Sequence, residues 1–109
     1  MIQAQLSFID PIESEFSKFH RENPVIYKLF KQFTFQAINR GHKKLSSEMI
    51  INRIRWETSV VSNDKDYKIN NNYKPFYSRL FMKEHPEYED FFYRRSSKAD
   101  MENYEQRNN

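Results

Sequence analysis

The chain has 109 residues, with 18 Lys and Arg against 15 Asp and Glu, a net charge of +3 and a pI near 9.1. That length holds one domain. Cysteine is absent, which excludes disulfides, thiolate nucleophiles and Cys-ligated metal centres, and the single glycine, Gly41, excludes a Gly-rich phosphate loop.

The first predicted helix opens at Asp10-Pro11, with Asp10 as cap, Pro11 at the first helical position and Glu13 three residues after the cap. Ile12, Phe16 and Phe19 give it one apolar stripe, and it ends near Glu22. Asn23-Pro24 repeats the cap-and-proline device for a second helix. Ile26, Leu29, Phe30, Phe33, Ala37 and Ile38 line its inner face, and Gly41 stands where a left-handed C-cap belongs. After a short connection, Ser46 or Ser47 caps a third helix reaching about Thr58. Ile50, Ile51 and Ile54 share one face of it. Met49 and Trp56 fall nearly opposite, so the pattern predicts a helix covered on two sides.

Thr58 to Val61 is β-branched and predicts a short strand. Asn63-Asp64 reads as a turn, and Tyr67, Lys68 and Ile69 as the returning strand of a small hairpin. Asn70-Asn71-Asn72 precedes a fourth helix, with Asn72 as cap and Phe76, Tyr77, Leu80 and Phe81 as its apolar stripe. Pro86 opens a short fifth helix carrying Tyr88, Phe91 and Phe92. Residues 96–109 lack apolar periodicity and read as a flexible C-terminal tail after a domain spanning 1–95. The expected fold is mainly α, with four to five short helices, a small β-hairpin and a winged helix-turn-helix-like layout.

The aromatic load is high, with ten Phe, seven Tyr and one Trp against three Ala. A few such rings can build a small core. No stretch approaches the roughly 20 apolar residues of a membrane span. The N-terminal MIQAQLSFIDP has neither the basic region nor the long apolar region of a signal peptide, and the expected location is the cytoplasm.

Charge is polarised along the chain. Residues 40–55 hold Arg40, Lys43, Lys44, Arg53 and Arg55 against Glu48. Residues 65–83 hold Lys65, Lys68, Lys74, Arg79 and Lys83 against Asp66, whereas Glu84, Glu87, Glu89 and Asp90 make the next segment acidic. In a winged helix-turn-helix, the third helix enters the major groove and the hairpin lies over the backbone. That layout puts Lys43 and Lys44 at the turn, Asn52, Arg53 and Arg55 on the recognition helix, and Lys65 and Lys68 on the wing. Arginine reads guanine and asparagine reads adenine, while lysine meets phosphates. The expected activity is non-enzymatic nucleic-acid binding, to DNA, with no cofactor and no metal. A homodimer is compatible with the modest interface of one small module. The competing reading of the same residues is a plain helical bundle with solvated charges.

Other groupings carry less. Asp64 and Asp66 are two carboxylates in one turn with no third ligand at a defined spacing. His20, His42 and His85 end or follow helices, where a cation suits the helix dipole. The Asn70–Asn72 run suits a cap or turn, and its amides also suit a nucleotide base or a partner's backbone.

Several motifs together resemble a family of small phage and prophage proteins of unassigned function. They are Phe19-His20-x-x-Asn23-Pro24-x-x-Tyr27-x-x-Phe30, Ile54-Arg55-Trp56-Glu57, Asn70-Asn71-Asn72-Tyr73-x-x-x-Tyr77-x-Arg79-Leu80-x-Met82, and Pro86-x-x-x-x-Phe91-Phe92-x-x-Arg95. The resemblance implies expression inside a bacterium and brings no site residues. It raises an alternative function, a protein-binding inhibitor or adaptor acting on a host factor such as a defence system. Such a protein needs an exposed aromatic or acidic surface, whereas DNA binding needs the basic segments on one face without acids between them.

Overall fold

The computed structural model describes residues 11–62 and 68–93. Among them are four α-helices: α1 (Pro11–Glu22), α2 (Pro24–Asn39), α3 (Ser47–Trp56) and α4 (Lys74–Glu84). A π-helical turn (Glu57–Val61) extends α3, and two 3-10 turns (Asn71–Tyr73 and Pro86–Tyr88) flank α4. The mainly helical fold agrees with the sequence pattern.

The ends of α2 show how local chemistry sets the boundaries. Asn23 does not cap it through its side chain. Its amide Nδ2 donates instead to the Phe19 carbonyl at 3.0 Å, closing α1, while Pro24 starts α2 without needing a donor. At the other end Gly41 has φ +95°. The His42 N–H donates to the Ala37 carbonyl and the Gly41 N–H to the Ile38 carbonyl, the paired bonds of a Schellman motif. Ser46 caps α3, its Oγ accepting from the Met49 N–H at 3.3 Å. Before α4 the cap is Asn70 rather than Asn72, since Asn70 Oδ1 accepts from the Asn72 N–H at 2.8 Å.

The expected hairpin is not formed, because its first strand is helical. Thr58 continues the Ile50–Ile54 row at a spacing of four and is buried. Its Oγ1 donates to the Ile54 carbonyl at 2.9 Å, so the hydroxyl is satisfied inside the helix. Burial along that row outweighs the strand preference of β-branched residues. The Ser62 N–H then reaches the Glu57 carbonyl, the wider bond of a π-turn. Asn63–Tyr67 lie outside the described residues, and the Ile69 carbonyl bonds a side chain of α3. The expected fifth helix is a single 3-10 turn. Beyond it, Phe92 pairs in parallel with Leu45: the Leu45 N–H donates to the Phe91 carbonyl at 3.1 Å and the Tyr93 N–H to the Leu45 carbonyl at 3.3 Å. The expected cap Asp10 and tail 96–109 lie outside the described residues.

The core is built from rings. Phe30 of α2 is fully buried, 5.6 Å from Tyr77 of α4 and 5.3 Å from Phe92. Phe81 meets Phe92 edge-on at 5.8 Å. Ile50, Ile51 and Ile54 bring α3 against α2 and α4. Phe16 of α1 meets Tyr73 at 5.7 Å, Phe76 at 5.2 Å and Tyr77 at 4.8 Å, which seats α1 on the start of α4.

Two hydroxyls in this core differ. Tyr27 Oη donates to Glu84 Oε1 at 2.7 Å, whereas Tyr77 Oη is buried without a partner among the described residues. Burial raises the pKa of both above the ordinary 10.0, and the bond and charge of Glu84 raise that of Tyr27 further. Phe30→Ala is therefore expected to cost about 3–5 kcal/mol in urea unfolding. Tyr77→Phe removes only an unpaired hydroxyl and is expected to stay within about 1 kcal/mol of the parent. Above pH 10 the unfolded chain releases tyrosine protons that the folded chain keeps, so stability falls as pH rises. Urea midpoints at pH 7 and pH 11 should show a smaller fall for Tyr77→Phe than for the parent.

Candidate functional site

Helix α3 carries the residues singled out for nucleic-acid binding, and its surroundings assign them different tasks. Asn52 and Arg53 are exposed on its outward side. Arg55 points along the flank towards the segment entering α4. Its Nη1 donates to Asn52 Oδ1 at 2.9 Å, and its Nη2 donates to the Ile69 carbonyl at 2.6 Å and to Asn71 Oδ1 at 2.9 Å. Arg55 thus ties α3 to residues 69–71. Arg53 lies 5.0 Å over the Phe33 ring of α2, with Nε 3.7 Å from Glu57 Oε2, a separation that makes an ion pair and not a hydrogen bond.

The lysines are spread around this helix. Lys43 and Lys44 are exposed in the α2–α3 connection. Lys43 borders a shallow depression with Glu87, Glu89 and Asp90, so acids adjoin the turn cation. Lys44 Nζ sits 5.2 Å over the Tyr93 ring. Lys68 is exposed ahead of Ile69, and Lys65 lies outside the described residues, as do Asp64 and Asp66. The structure brings Asn52 and Arg55 together and does not gather the described lysines with them.

The outward face of α3 is not covered as the sequence pattern predicts. Met49 is 58% exposed, Trp56 57%, and Val60 and Val61 on the π-turn 56% and 60%. Met49, Arg53, Trp56 and Val60 follow one another at spacings of four, three and four, so they share this face. The inner isoleucines use up the core contacts of α3, and its outer apolar residues have no facing element among the described residues.

A second surface escaped the reading of the sequence. A groove of about 740 Å³ runs beside the outer side of α4, bordered by Asn71, Asn72, Lys74, Arg79, Lys83 and Tyr93. The signal was present in the basic stretch 65–83, from which only Lys65 and Lys68 were assigned to a wing. Arg79 and Lys83 stand one turn apart on the same side of α4, and Lys74 borders the groove from the start of the helix.

Among the described residues no three of His, Cys, Asp and Glu gather as a metal site, and no helix is long and apolar enough to cross a membrane. Comparison with protein-family models, with curated proteins and with solved structures finds no match.

The geometry separates the two arginines. Arg55→Ala removes three charge-assisted bonds and leaves a half-buried carbonyl unpaired, and is expected to cost about 1–3 kcal/mol. Arg53→Ala removes a ring contact and an ion pair to the partly buried Glu57 carboxylate, but no hydrogen bond, and is expected to cost less than Arg55→Ala, about 1 kcal/mol. Urea denaturation of the two variants checks this ordering.

Proposed function

We propose that this protein is a non-enzymatic binding protein that presents the outward face of α3 to a partner protein. The observation that supports this reading is the exposure of Met49, Trp56, Val60 and Val61 along one helix and its π-turn. Exposed Trp and Met beside an arginine have the composition of an interface core, where Trp and Arg are frequent hot spots. Arg53 at the centre of the face asks for a carboxylate or carbonyl acceptor on the partner. With the phage resemblance, the partner is a bacterial host protein met in the cytoplasm, and the action is that of an inhibitor or adaptor.

Duplex DNA is the second reading. Its support is the helix–turn–helix order of α2 and α3 and the exposure of Lys43, Lys44, Asn52, Arg53 and Lys68. Against it stand the internal bonds of Arg55, the acids beside Lys43 and the apolar residues on the face that would enter the groove. A recognition helix carries polar side chains there.

Two assays on the purified protein separate the readings. In the first, the tagged protein is incubated with nuclease-treated bacterial lysate, and the captured protein is identified and titrated. Binding that survives the nuclease and weakens about 30-fold or more on Trp56→Ser, with circular dichroism unchanged, is the expected result. In the second, a labelled duplex is titrated across a salt series. Duplex binding that falls steeply with salt and is lost on Arg53→Ala, with no Trp56-dependent capture, would replace the protein-binding reading by the DNA one.

A further inference from the structure

The groove on α4 has a chemistry of its own. Lys74, Arg79 and Lys83 line it, and Glu89 is the carboxylate among its bordering side chains. Lys74 Nζ is 3.5 Å from Glu48 Oε1 and is held largely inside the surface, at 22% side-chain exposure. Arg79 lies 5.5 Å over the Phe76 ring, and both Arg79 and Lys83 are exposed. Asn71 and Asn72 add amide groups at one end. Asn71 Oδ1 is already bonded to Arg55, which turns the use of its amide towards its N–H donors. Tyr93 adds a ring that is 52% exposed, with Lys44 Nζ 5.2 Å above it. The groove's volume of about 740 Å³ lies within the roughly 300–1,000 Å³ of small-molecule sites.

We propose that this groove is a nucleotide-binding site. Arg79 and Lys83, one turn apart on α4, hold the phosphate, Tyr93 stacks on the base, and the Asn71 and Asn72 amides meet the base edge. The combination decides the ligand class. Cations alone would suit any anion, including an acidic peptide. An exposed ring beside the cations, with amides facing the same space, matches a ligand that joins a flat π-face to a phosphate. An open groove accepts either a free mononucleotide or one nucleotide of a single strand passing through. The site shares no residue with the outward face of α3, so it stands independently of the protein-binding reading.

The test uses the full chain and three probes: a fluorescein-labelled oligothymidylate, unlabelled thymidine monophosphate and an oligoglutamate of similar charge. Anisotropy at low salt is expected to show oligothymidylate binding that weakens with added salt. Arg79→Glu with Lys83→Glu should weaken it at least tenfold. Tyr93→Ser should weaken it about 5- to 160-fold, the range of one lost base stack. Both changes are on exposed side chains, and circular dichroism verifies that the helices persist. Displacement by thymidine monophosphate at concentrations near that of the strand would assign the site to free nucleotides, and its failure to displace would assign it to single strands. Either outcome supports a nucleotide site. Trp56→Ser should leave all of these values unchanged, which separates failure here from failure of the α3 reading. The proposal is overturned by absence of oligothymidylate binding together with absence of thymidine monophosphate binding in a direct calorimetric titration. It is also overturned by oligoglutamate binding as tightly as the strand, or by strand binding indifferent to the Arg79, Lys83 and Tyr93 changes.

Discussion

Three separate pieces of chain meet on the ring of Phe30. Helix α2 supplies it, α4 brings Tyr77 to one side, and the segment after the last 3-10 turn brings Phe92 to another. A core made from rings is demanding because each ring needs broad, well-placed neighbours. Here the demand fixes the C-terminal segment. Phe92 packs on Phe30 at a parallel bridge to Leu45, which satisfies the Phe91 carbonyl and the Tyr93 N–H. The same bridge holds the α2–α3 connection, so the start of α3 depends on a contact made more than forty residues later.

That dependence explains what could and could not be read from residue order. Helix α2 was legible throughout because its apolar spacing, its proline and Gly41 are all local signals. Asn23 does stand at the N-cap of α2, but its side chain bonds back to α1, and the capping side chain ahead of α4 belongs to Asn70 and not Asn72. An asparagine serves the helix before it or the one after it equally well, and the backbone around it decides. Thr58–Val61 failed for a different reason. Four β-branched or small residues favour a strand in isolation, but Thr58 lies in register with Ile54, and burial along that row decides. The parallel bridge had no local signal at all, since its partners are distant in sequence.

The candidate site was legible only in part. Arg55 had the residue type and helix position of a base reader, yet a fork of N–H donors suits a carbonyl and two amides inside the protein just as well. Which acceptor it meets depends on where residues 69–71 run, and that path is set by the tertiary fold. Trp56 and Met49 lie opposite the buried isoleucines, a pattern that predicts cover on both sides of α3. Only the fold shows that each is left more than half exposed instead. Lys74, Arg79 and Lys83 were counted as charge and missed as a surface, because the groove exists only once Tyr93 is brought back beside α4.

Burial separates the aromatic residues into two groups. Those of the core and its margin give up their surface to other parts of the protein. Trp56 and Tyr93 are the described aromatic residues left more than half exposed. Each ring costs free energy to keep in water, since burying such a side chain is worth about 2–3 kcal/mol. Folding alone gains nothing from their exposure. They lie on different surfaces, Trp56 on the outward side of α3 with Met49 and Val60, and Tyr93 at the basic groove with Lys44 above it. One surface pairs its ring with aliphatic neighbours and a lone arginine, the other with lysines and amides. A protein surface offers apolar area to match the first, and a base joined to a phosphate offers a π-face and a charge to match the second. The exposed rings are the grounds for the two binding chemistries proposed for this small fold, and among the described residues neither ring joins the packing of the core.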